Sequence, residues 1–149
     1  MSSDSNAALA EPELSAEEAQ QEIVDEFAMF DDWTERYRYI IDLGRDLDQL
    51  AEDRRSDDKL IRGCQSRVWL DYREGDGRIA FSAATDAAIV AGLIALVLRV
   101  YNNRQPAEIS RTEPWFVREI GLQEHLSPTR SNGLHAMLGK IKSIAEAAA

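Results

Sequence analysis

A chain of 149 residues fits one domain, long enough to bury about 70% of the surface its unfolded form exposes. Its net charge of -10 is uneven: residues 1–35 hold 11 acidic residues and no Lys or Arg, while the remainder carries 16 acids against 17 bases. A nearly neutral body lacks the phosphate-tracking surface of a nucleic-acid binder. The longest apolar stretch, Ala87 to Leu98, is interrupted by Gly92 and falls short of the roughly 20 residues that span a bilayer, so neither nucleic acid nor membrane is an expected partner.

Residues 1–14 are small, polar and acidic without apolar periodicity, which reads as a flexible acidic tail, with a single domain over 15–149. They lack the basic and apolar regions of a secretory signal and are too acidic for an organellar transit peptide, so a cytoplasmic protein is expected. Ser15 and Glu18 form a capping box ahead of Ile23, Phe27 and Phe30, which recur at helical spacing. A second helix is expected from Asp32 to Leu50, with Trp33, Tyr37, Ile40, Ile41, Leu43 and Leu47 on one face and Arg36 and Arg45 on the solvated one. After a charged loop at 51–58, Val68, Leu70 and Tyr72 alternate with Arg67, Trp69, Asp71 and Arg73 as a strand. Asp76-Gly77 supplies a hairpin turn into a second strand through Ile79 and Phe81, and Leu60 to Arg62 is expected to complete a three-stranded antiparallel sheet. Asp86 is an N-cap for an apolar helix ending near Tyr101, apolar almost all round and therefore central to the core. Short helical pieces punctuated by Pro106, Pro114 and Gly121 follow. A last helix begins at Ser127-Pro128 or Ser131 and buries Leu134, Leu138, Ile141 and Ile144. Helices, hairpin, helices is the order of an α+β domain.

The chain contains one cysteine, Cys64. It cannot close an internal disulfide, and no spacing for structural zinc accompanies it, so it is either a buried inert side chain or a thiol put to chemical use. Its setting favours use: it lies between a charged loop and a strand, after Gly63, with Arg62 and Arg67 flanking it to favour the thiolate and Gln65 and Ser66 as donors to an anionic sulfur. A Cys-His hydrolase would need His125 or His135 as base, yet no nucleophile motif surrounds Cys64; a metal site from one Cys and two His is equally unsupported, and no metal is expected. Gly75 and Gly77 lie in a hairpin, not in a phosphate-binding loop, and no cofactor pocket is evident. A peroxide sensor would need a resolving thiol, which is missing, and an interaction module with an inert cysteine stays open.

Four stretches in order, WTERYRYIIDLG at 33–44, IRGCQSRVWL at 61–70, TDAAIVAGLIALV at 85–97 and LSPTRSNGLHAML at 126–138, resemble the SufE family of sulfur-acceptor proteins, which includes the CsdE proteins. The resemblance implies a SufE/NifU-like fold and a partner-dependent role. A PLP-dependent cysteine desulfurase, SufS-like or CsdA-like, would hold the cofactor; the chain itself needs none. Sulfur would pass as a persulfide to Cys64 and onward to a SufBCD-like iron-sulfur scaffold. Arg130 matches a position in the family's active region and Asp86 one near its desulfurase-contacting surface; with Gly63, Gln65, Ser66 and Arg67 they would support the persulfide or the partner. The resemblance also implies a cysteine tucked against apolar surface until docking. It leaves open whether the pathway is of SUF or CSD type and whether the chain forms a homodimer.

Overall fold

The computed structural model describes residues 11–62 and 66–148. Among them lie helices α1 (Ala16–Phe27), α2 (Trp33–Arg45), α3 (Ala88–Tyr101), α4 (Pro106–Arg111), α5 (Phe116–Glu119), α6 (Leu122–His125) and α7 (Pro128–Ala148), and strands β1 (Val68–Gly75) and β2 (Arg78–Thr85). Two single turns of 3-10 helix, Glu52–Arg54 and Asp57–Lys59, interrupt the charged connection between α2 and β1.

The helix starts follow from local chemistry. The Ser15 hydroxyl accepts from the Glu18 N–H at 3.1 Å and the Glu18 carboxylate accepts from the Ser15 N–H at 2.9 Å, so the capping box closes in both directions. Asp32 caps α2 through the Glu35 N–H at 2.9 Å. The α2 helix ends at Arg45, short of Leu50, because the following chain is drawn onto the sheet: the Leu50 N–H donates to the Ala83 carbonyl at 2.8 Å. On this helix Arg36 is half-buried rather than solvated; its guanidinium donates to the Phe30 and Ile120 carbonyls and lies 5.4 Å from the Trp33 ring.

The sheet is an antiparallel pair, with Val68 opposite Thr85 and Gly75 opposite Arg78. Asp76 and Gly77 turn the hairpin with φ of 54° and 75°, the two positive angles that a two-residue turn of this hand requires. The expected third strand is not formed. Leu60 makes an isolated antiparallel bridge to Trp69, and the Ile61 N–H donates to the Val68 carbonyl at 2.9 Å. Arg62 then turns away, so pairing stops after one bridge.

The outer side of β2 is met by other parts of the chain. Ile79 exchanges hydrogen bonds with the Arg104 carbonyl and the Asn103 N–H, and the Phe81 N–H donates to the Asn102 side chain. The Ala83 carbonyl receives Leu50, and the Thr85 N–H donates to the Gln49 side chain at 3.1 Å.

α3 runs through the centre, burying Leu93, Ile94, Leu96, Val97, Val100 and Tyr101. Its crossing with α2 is a backbone contact: a Cβ on Gly92 would lie 1.9 Å from the Ile40 carbonyl oxygen, and one on Gly44 would lie 2.6 Å from the Gly92 nitrogen. The glycine inside the apolar run is therefore a packing requirement. α1 is tied to α3 by Arg99, which reaches Glu22 at 2.8 Å and Glu26 at 2.7 Å, and to α2 by the Tyr39 hydroxyl, which donates to Glu26. Residues 11–14 touch the body through Arg104, which donates to the Leu14 carbonyl, and through Arg78, 3.7 Å from Glu11.

Candidate functional site

β1 presents alternate residues to two faces. Val68 and Leu70 point into the main core, whereas Trp69 packs with Leu50, Leu60 and Ala84 in a smaller cluster on the other side. On the Val68 side opens an apolar pocket of about 260 Å³. Ser66 and Val68 form one wall, Val90, Leu93 and Ile94 of α3 a second, and the first turns of α7 a third. That volume suits a side chain or a small anion better than a nucleotide or flavin.

α7 brings its N-terminus to this pocket because Ser127 and Pro128 start it there. The Arg130 N–H donates to the Ser127 hydroxyl at 3.3 Å, which is cap geometry, and proline needs no hydrogen bond at the first helical position. Arg130 is exposed and lines the pocket, and among the described residues nothing accepts from its guanidinium. A cation beside an apolar cavity with Ser66 across from it can hold a small anion or a polarisable sulfur anion.

Of the sequence-derived site residues, Ser66 and Arg130 meet at the pocket. Arg67 and Asp86 are placed together elsewhere, in an exposed ion pair of 3.2 Å, with the Arg67 guanidinium 5.1 Å from the Trp69 ring. Gly63, Cys64 and Gln65 lie outside the described residues. The N-cap expected of Asp86 is not made: α3 starts one residue later, with Ala87 as its cap position and no side-chain bond there. β2 continues to Thr85, and the Thr85 hydroxyl accepts from the Ala87 N–H at 3.3 Å, so the chain bends at Asp86 before the helix begins.

The two histidines do not line the pocket. His125 stacks on Trp33 with ring centroids 4.0 Å apart, and its Nδ1 lies 2.9 Å from the Gly121 carbonyl, while Tyr37 donates to its backbone oxygen. Those contacts make it a packing residue. Among the described residues no group of three His, Cys, Asp or Glu could hold a metal ion, and no helix is long and apolar enough to cross a membrane.

Sequence reasoning missed the pocket's apolar walls, Val90, Leu93, Ile94, Leu134 and Met137. Their signal was present: every lining residue falls within 61–70, 85–97 or 126–138. Read singly, each stretch gives only a core face; the cavity exists where the three meet.

A family model described as "SufE: Fe-S metabolism associated domain" matches residues 21–145. An uncharacterised SufE-like protein of Rhizobium meliloti is 42% identical over 130 residues, covering 84% of this chain and 93% of that protein. Another, from Rhizobium etli, is 41% identical, covering 84% of this chain and 88% of that protein. The solution structure of a hypothetical protein from Thermus thermophilus superposes with a TM-score of 0.71 over 87% of this chain and 95% of that chain. At 17% identity that likeness concerns the fold alone.

Proposed function

The chain belongs to the SufE family, an Fe–S metabolism associated domain, and from that premise we propose that it is a cytoplasmic sulfur-acceptor protein whose Cys64 takes sulfane sulfur from a PLP-dependent cysteine desulfurase. The Cys64 thiolate attacks the terminal sulfur of the desulfurase's cysteine persulfide. A new sulfur–sulfur bond forms on Cys64, the old one breaks, and the desulfurase cysteine leaves as thiolate, with no net oxidation or reduction. The loaded Cys64 then meets an attacking thiol on a SufBCD-like iron-sulfur scaffold, and its outer sulfur is transferred by the same exchange.

The observation that carries this reading is the apolar pocket beside Ser66. Ser66 follows Cys64 by two residues, so covalent geometry keeps the two Cα atoms within about 7 Å. An apolar cavity of side-chain size within that reach suits a sulfur that must be kept from water and stray thiols between partners. Arg130 at its rim suits the anionic persulfide, and the exposed Arg67–Asp86 pair suits contact with the desulfurase. A lone cysteine fits a carrier, since a second thiol would resolve the persulfide as a disulfide and release the cargo.

The test is intact mass after incubation with a desulfurase and free cysteine: a gain of one sulfur atom is expected, confined to Cys64 and lost in Cys64→Ser. Stimulation of the desulfurase is expected to disappear in the same variant with its fold unchanged. Full stimulation by Cys64→Ser would make the chain an adaptor instead.

A further inference from the structure

Where the hairpin meets the end of α3, two arginines lie under the acidic segment 11–14. Ile79 and Arg104 form an isolated antiparallel bridge, which brings Arg78 and Arg104 to the same end of the domain. The Arg104 side chain is only 3% exposed and is satisfied mainly by backbone: its Nε–H donates to the Val100 carbonyl at 3.0 Å, and its terminal nitrogens donate to the Arg99 and Leu14 carbonyls. Among the described residues its one carboxylate neighbour is Glu108, 4.0 Å away and already accepting the Ala16 N–H at 2.8 Å. Arg78, 14% exposed, donates to the Asn103 carbonyl at 3.1 Å and lies 3.7 Å from Glu11. Burial lowers the Arg104 guanidinium from its usual range, Glu108 offsets part of this, and Arg78 lowers it further, as a neighbouring cation does.

Residues 11–14 are held lightly. None of the four is buried, Leu14 packs in neither apolar cluster, and among the described residues their backbone meets the domain only where the Leu14 carbonyl accepts from Arg104. Pro12 keeps Glu11 out of helical geometry, so the segment offers a carboxylate and, three residues later, a free carbonyl. We propose that Arg78 and Arg104 form a binding site for a short acidic peptide of that pattern, and that residues 11–14 are its occupant in cis. When the segment lifts, a buried donor of Arg104 loses its acceptor and the fork of Arg78 loses its counter-charge. An acidic peptide returns both; a neutral one returns the carbonyl alone. Arg78, Arg104 and Glu108 do not line the pocket beside Ser66, so the proposal is independent of the sulfur-acceptor reading.

The experiment follows exchange of the Arg104 guanidinium protons with water by NMR on the full chain. Glu11→Gln and Arg78→Gln are each expected to speed it about two- to fivefold, the range that loss of one partly screened ion pair gives. Should Arg78→Gln disturb the hairpin, Glu11→Gln removes the same pair from the solvent side. Glu13→Gln, which removes a charge from an exposed neighbour, is expected to leave the rate native. Glu11→Lys, which sets a cation against Arg78, is expected to speed exchange further. A capped peptide of residues 11–16, EPELSA, added to that variant at about the millimolar concentration a short tether supplies in cis, is expected to slow exchange again, and QPELSA to slow it less. Equal rates in native, Glu11→Gln and Glu11→Lys chains overturn the site. So does a Glu13→Gln effect as large as that of Glu11→Gln, which would make the attraction one of overall charge. No response of the Glu11→Lys chain to EPELSA, or the same response to both peptides, overturns recognition of an acidic peptide.

Discussion

Between α2 and α3 the backbones meet so closely that Gly92 has no room for a Cβ, whereas between the connection of residues 51–62, a strap beside β1, and α7 there is a groove of about 390 Å³. The helical side is closed by apolar burial and reinforced by Arg99 with Glu22 and Glu26; the 51–62 side is held by a β-bridge, the packing of Leu60 and Ile61, Arg55 over Trp69 and the ion pairs of Asp71. Contact that excludes water resists opening as a unit, while ion pairs near the surface give way singly and cheaply. The sulfur-acceptor role proposed above would be served by both, a tightly packed platform and a fastening that opens more cheaply.

Gly92→Val breaks the comparison at its strongest point. The added atoms would enter the space of the Ile40 carbonyl, and a loss above about 3 kcal/mol is expected, read as a large fall in melting temperature by circular dichroism. A melting temperature close to native would mean that the helices part easily and the platform is not rigid. Leu93→Ala comes next. Leu93 is buried in the core and also walls the pocket, so about 2–4 kcal/mol should be lost in denaturant unfolding.

Glu26→Gln removes a part-exposed charge from the Arg99 network, with an expected cost of about 1 kcal/mol or less. Its pH dependence has a definite sign. The Arg99 hydrogen bond holds the Glu26 carboxyl below its usual range, so the stabilisation is present at neutral pH and is lost as pH falls through that lowered value. Tyr39 behaves oppositely. Burial and then the hydrogen bond to Glu26 push its hydroxyl up to about 12, so its share is present below pH 10 and is lost as pH rises towards 12. Unfolding curves of Glu26→Gln and native protein should converge in acid, where Glu26 is protonated, and differ at neutral pH.

Asp71→Asn should cost least in global stability, under about 1 kcal/mol. Its signature is local: faster amide exchange over residues 51–62 with α2 and α3 unchanged. Equal changes in both regions would erase the distinction between platform and strap.

Much of this was legible because it is local. The capping box at Ser15 and the Asp-Gly turn are determined by a few adjacent residues, and both formed as expected. The third strand failed because pairing is not local: a bridge at Leu60 needs the chain to continue alongside β1, and it turns at Arg62 instead. Asp86 was displaced from its cap by the pairing of Thr85 with Val68, a partner 17 residues away. The pocket was invisible for the same reason, since Ser66, Leu93 and Met137 share a cavity and no stretch of chain.

The dressed outer side of β2 bears on how the protein behaves in a crowd. Strands with bare backbone at a sheet's margin recruit one another, the first step towards aggregates. Here Ile79, Phe81, Ala83 and Thr85 each direct their outward hydrogen bonds to Arg104, Asn103, Asn102, Leu50 or Gln49, so an incoming strand finds that margin occupied. On that side the sheet is closed to chance neighbours, and any lengthening is left to the β1 margin, where one bridge at Leu60 is made.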